Sequence, residues 1–229
     1  MKKILLYPIL GMLVFLAGVL FVGIVILRPR IDSSLSLMPD KVKHHLALRN
    51  GAYVPLRKIN RYVGQAAIVS QNENFYHDSG ISIPGTARAL FYTVIKHKRQ
   101  GASTITEQLA KNVYFRDQDN LKTDIETKIL ALYMNRKFSK KKILELYLND
   151  IYFGENAYGI FQASKAYYHT TPQKLSVYEA AYLIGLINAP SYLSQHPKQA
   201  QFVAKNVLEQ MFAEHYITAK QEKQAEKNL

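Results

Sequence analysis

Cysteine is absent from the 229 residues, and so is tryptophan. Without thiols there is no disulfide framework and no thiolate metal centre. A chain free of cysteine suits an oxidising compartment. Acidic residues are scarce: 17 Asp and Glu stand against 30 Lys and Arg, a formal net charge of +13. There is no low-complexity tract and no internal repeat. Hydrophobic residues make up 48% of the chain. That is enough for a sizeable core in one domain with an extra segment.

The longest stretch without charge is "ILLYPILGMLVFLAGVLFVGIVIL", residues 4–27. As a helix these residues reach about 36 Å, enough to cross a hydrocarbon core of roughly 30 Å. A cleavable signal peptide would have a shorter apolar core and a small-residue cleavage site. The "LRPRID" that follows offers no such site, so the expectation is a retained anchor over residues 1–30. Lys2 and Lys3 before the run nearly balance Arg28 and Arg30 after it. The flanking charges therefore leave its orientation open.

Four of the 30 basic residues precede residue 31, leaving 26 against 17 acids, or +9, for the remainder. Nucleic acid is one partner of a basic surface. Beside an anchor, anionic headgroups or a phosphate-bearing lipid fit better. A merely solvated basic surface is the alternative.

Residues 31–52 are polar and mixed, and read as a juxtamembrane linker. His44 and His45 in it read as a solvated pair, with no other metal ligand near in sequence. Pro55 favours an extended "YVPL" at 53–56. From there the spacing is helical. "INRYVGQAAIV" has apolar residues at 59, 62, 63, 66, 67 and 69. "IPGTARALFYTVIKHK" (83–98) is a basic amphipathic segment that fits either a membrane surface or core packing. Thr104 and Glu107 predict a capping box, as do Ser176 and Glu179. Ser139 predicts an N-cap. Residues 121–138 carry a helical stripe at 121, 125, 129, 132 and 133, and Pro190 stops a later helix. The fold class is mostly α.

The stretches "QNENFYHDSGIS", "GASTITEQLAKNVYF", "ILALYMNRKFSKKKILELYLNDIYFGENAYGI" and "LSVYEAAYLIGLINAPS" carry a resemblance. In this order and spacing the chain, from about residue 53 to 215, resembles the family 51 peptidoglycan glycosyltransferases. These are the transglycosylase domains that polymerise lipid II, alone or within class A penicillin-binding proteins. The resemblance implies a lysozyme-like lobe over 53–229 and a small membrane-proximal lobe around 81–100. It also implies an outward-facing domain, on the periplasmic or extracellular side of the bacterial cytoplasmic membrane. An anchor with no transpeptidase domain behind it is similar to the monofunctional branch.

Family chemistry needs a general base near the acceptor hydroxyl and cations near the departing pyrophosphate. The family motif E-D-x-x-F-x-x-H-x-G, aligned on Phe75 and Gly80, places its Glu at Gln71, its Asp at Asn72 and its His at Asp78. The motif R-K-x-x-E places its Glu at Thr127, its Arg at Thr123 and its Lys at Asp124. An amide and a hydroxyl thus occupy the two family Glu positions, Gln71 and Thr127. The nearby acids Glu73 and Glu126 are the fallback catalysts. On a continuous helix each would be rotated away, by roughly 200° and 100°. The motif G-x-S-T-x-x-Q-Q-x-x-K-N is kept at Gly101, Ser103, Thr104, Gln108, Lys111 and Asn112, with Glu107 for its first Gln. Ser103, Thr104, Gln108, Lys111 and Asn112 form the expected substrate-binding wall, with an anion at the helix N-terminus.

The function implied is that of a membrane-anchored homologue binding lipid II or a nascent glycan strand without efficient polymerisation. An active monofunctional polymerase and a tethered adaptor for other cell-wall synthesis proteins are the alternatives. Nucleic acid is not expected as a partner. No metal site is identified, although a divalent cation is used by some relatives.

Overall fold

The computed structural model describes residues 31–82, 85, 103–116 and 118–229. The chain divides into two units, residues 1–38 and 39–229. Of the first, residues 31–36 are helical. The anchor expected at 1–30 lies outside the described residues. So does the lobe expected around 81–100, apart from residues 81, 82 and 85. No helix among the described residues is long and apolar enough to cross a membrane.

The rest is built of α1 (Met38–Ala47), α2 (Arg61–Gln71), α3 (Ile105–Tyr114), α4 (Leu121–Lys137), α5 (Lys140–Asp150), α6 (Gly159–Tyr168), α7 (Val177–Leu186), α8 (Pro190–Leu193), α9 (Pro197–Ala213) and α10 (Ala219–Glu226). There is no strand among the described residues, only a single antiparallel bridge between Tyr152 and Tyr158. The fold is mostly α. Within the segment read as linker, α1 buries Val42 and Leu46, one turn apart.

Caps set the helix starts. The Ser176 hydroxyl accepts from Glu179 N at 3.2 Å and the Glu179 carboxylate accepts from Ser176 N at 2.7 Å, so this box closes both ways. Ser139 caps α5, accepting from Lys142 N. Thr104 caps α3, accepting from Glu107 N at 3.1 Å. The reciprocal half of that box does not form, because the Glu107 carboxylate is drawn to Lys128 at 3.0 Å.

Helix α7 is apolar around most of its circumference and packs between α2 and α9. Gly185 permits the approach: a Cβ there would lie 3.1 Å from Val203 Cγ1. Helix α5 packs against α3 and α6 and buries Ile143, Leu144, Leu146, Tyr147 and Leu148. Burying an aliphatic side chain contributes roughly 1.5–3 kcal/mol, so these two helices anchor the core. The "ELYLN" run has a second use. Glu145 accepts from Leu56 N at 2.7 Å, and the Asn149 side chain bonds both Val54 N and Val54 O at 2.7 and 2.8 Å. Those bonds satisfy the backbone of the extended 53–55 stretch and of Leu56, where a 3-10 turn begins in place of the extended residue expected there, as buried polar groups require.

The stripe expected on α4 is not its buried face. Ile125 and Ile129 are 52% and 41% exposed, while Thr123, Thr127, Leu130, Ala131 and Met134 are buried. Hydroxyls face inward at 123 and 127, and periodicity of apolar residues alone cannot show that.

Candidate ligand cleft

Helix α2 ends at Gln71, and its C-cap Asn72 leaves helical geometry at φ −165° and ψ 74°. Asn72 accepts from Ile105 N at 3.2 Å, so its side chain ties the end of α2 to the start of α3. The chain then turns through Phe75, which is fully buried, and reaches Gly80 at φ +96°. A Cβ at Gly80 would meet Ala131 O at 2.5 Å, so the close approach to α4 requires glycine. Asp78 holds this turn from below, accepting from Gly80 N and from Lys140 Nζ, each at 2.7 Å. Asp78 and Lys140 are both largely buried.

Above the turn lies a cleft of about 680 Å³ lined by α2's end, the 72–74 turn, Ser82, the start of α3 and the 187–188 loop. Gln71 sits in it within a chain of amides. Its Nε2 donates to Asn188 Oδ1 at 3.2 Å and to Ser70 Oγ at 3.0 Å. Its Oε1 accepts from Gln108 Nε2 at 3.2 Å, and Gln108 Oε1 accepts from Tyr147 OH at 3.0 Å. Full burial of Tyr147 pushes its phenol far above the usual range, so it stays a donor. This chain of donors and acceptors is complete with neutral groups. It contains no base.

Glu73 lines the cleft, the single carboxylate to do so among the described residues. The rotation expected to carry it away presumed a continuing helix. Because α2 stops at Gln71, Glu73 lies on a turn and faces the cleft. Glu126 is not among the lining residues; it lies 3.8 Å from Lys122 on the exposed side of α4. Thr127 is buried, and its hydroxyl has no hydrogen-bond partner among the described residues.

The expected substrate wall is split. Ser103, Thr104 and Gln108 line the cleft, with Thr104 Oγ1 committed to Gly80 O at 2.6 Å. Asn112 lines a neighbouring cavity of about 300 Å³ that shares Gln108 and Ile187 with the cleft. Lys111 lines neither, and lies 3.0 Å from Asp119 and 4.0 Å from Asp124. Glu107, read from sequence as a cap, is instead a buried acid beneath the wall. Burial raises its carboxyl above the ordinary range, against the pull of Lys128. Its Oε1 has no partner among the described residues. No group of three or more potential metal ligands occurs among the described residues.

The profile of the Transglycosylase family matches residues 40–212. The chain belongs to this family. The transglycosylase fold so identified includes most of α1. Among curated proteins the chain is similar to penicillin-binding protein 1A of Aquifex aeolicus, 37% identical over 186 residues, or 79% of this chain and 25% of that protein. It is 34% identical over 191 residues to penicillin-binding protein 1A of Rickettsia felis, covering 81% and 24%. It is 33% identical over 233 residues to that of Neisseria lactamica, covering 95% and 29%. The chain spans about a quarter of the length of these relatives.

Asn188 was not foreseen as a site residue; it follows α7 in "GLIN", a loop whose spacing carries no chemistry until it folds against Gln71. Nor was His45 correctly read. It is not part of a solvated pair, because its Nδ1 lies 3.4 Å from the buried Asp150. His44 is exposed.

Proposed function

We propose that this transglycosylase homologue binds lipid II or a nascent glycan strand at the cell envelope without polymerising it efficiently. In this reading residues 1–30 anchor it in the bacterial cytoplasmic membrane, 31–52 lead out of the membrane, and 53–229 form the outward-facing glycosyltransferase-like domain. The observation that carries the reading is Gln71. It occupies the first family Glu position, lies in the cleft, and is held there by Asn188 and Gln108. An amide is no general base. The second family position is the buried Thr127, and Thr123 and Asp124 stand where the family has Arg and Lys.

The test is to titrate purified full chain with labelled lipid II in detergent and to follow the glycan products of the same samples. Saturable binding without chain growth is expected. Absence of any binding, with the protein folded, would favour the adaptor for other cell-wall proteins. A second reading, an active polymerase, is favoured by one observation: Glu73 lines the cleft. In that case Glu73→Gln would abolish polymerisation.

A further inference from the structure

The cations expected beside the cleft are missing or neutralised, since Lys111 is flanked by Asp119 and Asp124. Positive charge gathers instead one step further along α3. Gln108, Asn112 and Arg116 recur every fourth residue, on one face of the helix and its end. The cavity beyond Asn112 measures about 340 Å³ and is lined by His45, Arg49 and Arg116 among others. No carboxylate lines it among the described residues. On the opposite wall stand His45 and Arg49, spaced by four, and Lys41 lies one turn before His45 on α1. Lys41 Nζ lies 4.3 Å from the ring centroid of Tyr114, another lining residue.

Two guanidinium groups converge on the ring of Tyr158, which lines the neighbouring cavity of about 300 Å³ with Arg116 and Asp150. Arg49 lies 4.3 Å and Arg116 5.3 Å from the Tyr158 centroid. Asp150 is the counter-charge that the structure supplies, 3.1 and 3.3 Å from Arg116 Nη2. Arg116 Nε donates to Asn112 O, but Nη1 is buried without a hydrogen-bond partner among the described residues. A buried donor left unmade is unfavourable. The planar fork of arginine suits the oxygens of a phosphate or carboxylate.

We propose that Arg49 and Arg116 form an anion-binding pocket that takes a phosphate or carboxylate group. That the group belongs to an extended lipid-linked or glycan ligand lying along α3 rests on the functional reading above. The pocket itself does not.

Two arms test it on the full chain in detergent. In the first, the arginine Nε–H resonances are assigned through Arg49→Gln, then followed while inorganic phosphate or acetate is added at constant ionic strength. Saturable shifts confined to Arg49 and Arg116, and absent with chloride, are expected. Small, unsaturable shifts shared by all arginines would overturn the pocket. In the second arm, lipid II and a phosphate-free muropeptide are bound to the wild type, to Arg49→Gln and to the double variant Arg116→Gln, Asp150→Asn. The double variant leaves no buried unpaired carboxylate. At least a fivefold loss of affinity is expected in both variants. Loss for the muropeptide assigns the group as a carboxylate, and loss for lipid II alone assigns it as a phosphate. Wild-type affinity in both folded variants would overturn the assignment to an extended ligand. Saturable phosphate shifts with no lipid II binding by the wild type would leave the pocket standing and remove the functional reading.

Discussion

Glu107 makes the start of α3 sensitive to pH. Burial lifts its carboxyl above the ordinary range, and Lys128 only partly compensates. The folded chain therefore holds this proton more tightly than the unfolded chain does. The contribution to stability is greatest below the ordinary carboxylate pKa and is lost as pH rises through the raised value. Glu107→Gln removes that loss. The variant should melt at a higher temperature than wild type at neutral pH, with the gap closing in acid; a gap independent of pH would refute the burial argument. Lys111 is the contrasting residue. Its ammonium is partly exposed and already flanked by two acids. Lys111→Ala should weaken lipid II binding by less than about 1 kcal/mol, the usual size of an exposed pair. Asp124→Lys should strengthen binding by about 1 kcal/mol at low salt and less at high salt. Titrations at two ionic strengths check both.

Helix starts were legible in the sequence because a cap is a local event. Thr104, Ser139 and Ser176 each accept from a backbone amide three residues on, as their spacing to the following apolar run implies. The buried face of α4 was not legible, since burial follows the neighbouring helices and not hydrophobicity. Apolar Ile125 and Ile129 are exposed, and Thr123 and Thr127 are inside. Two substitutions separate the registers. Ile129→Lys should change stability by no more than about 0.5 kcal/mol. Met134→Ala, at a fully buried position, should cost about 2–5 kcal/mol. Urea unfolding of both variants decides, and the reverse order would restore the stripe read from periodicity. The orientation of Glu73 failed in the same way. It was read on a continuing helix, and the helix stops two residues earlier.

Across the whole molecule the family and the α-helical class were readable from long ordered motifs, and the family match over residues 40–212 agrees. The basic cavity was not readable. It joins α1 and α3, residues far apart in sequence with no motif between them. The uncharged 4–27 run, together with the outward-facing domain of the proposed reading, predicts that a reporter fused after Leu229 is active only outside the cytoplasm. A cytoplasmic signal would remove the proposed topology. The central claim is that ligand recognition outlives catalysis in this transglycosylase. It is tested most directly by incubating the purified full chain with labelled lipid II and resolving the glycan products by length. The account predicts bound lipid II and no polymer from the wild type, with Gln71→Glu plus Thr127→Glu yielding measurable chains. Processive polymer from the wild type, abolished by Glu73→Gln, would contradict it.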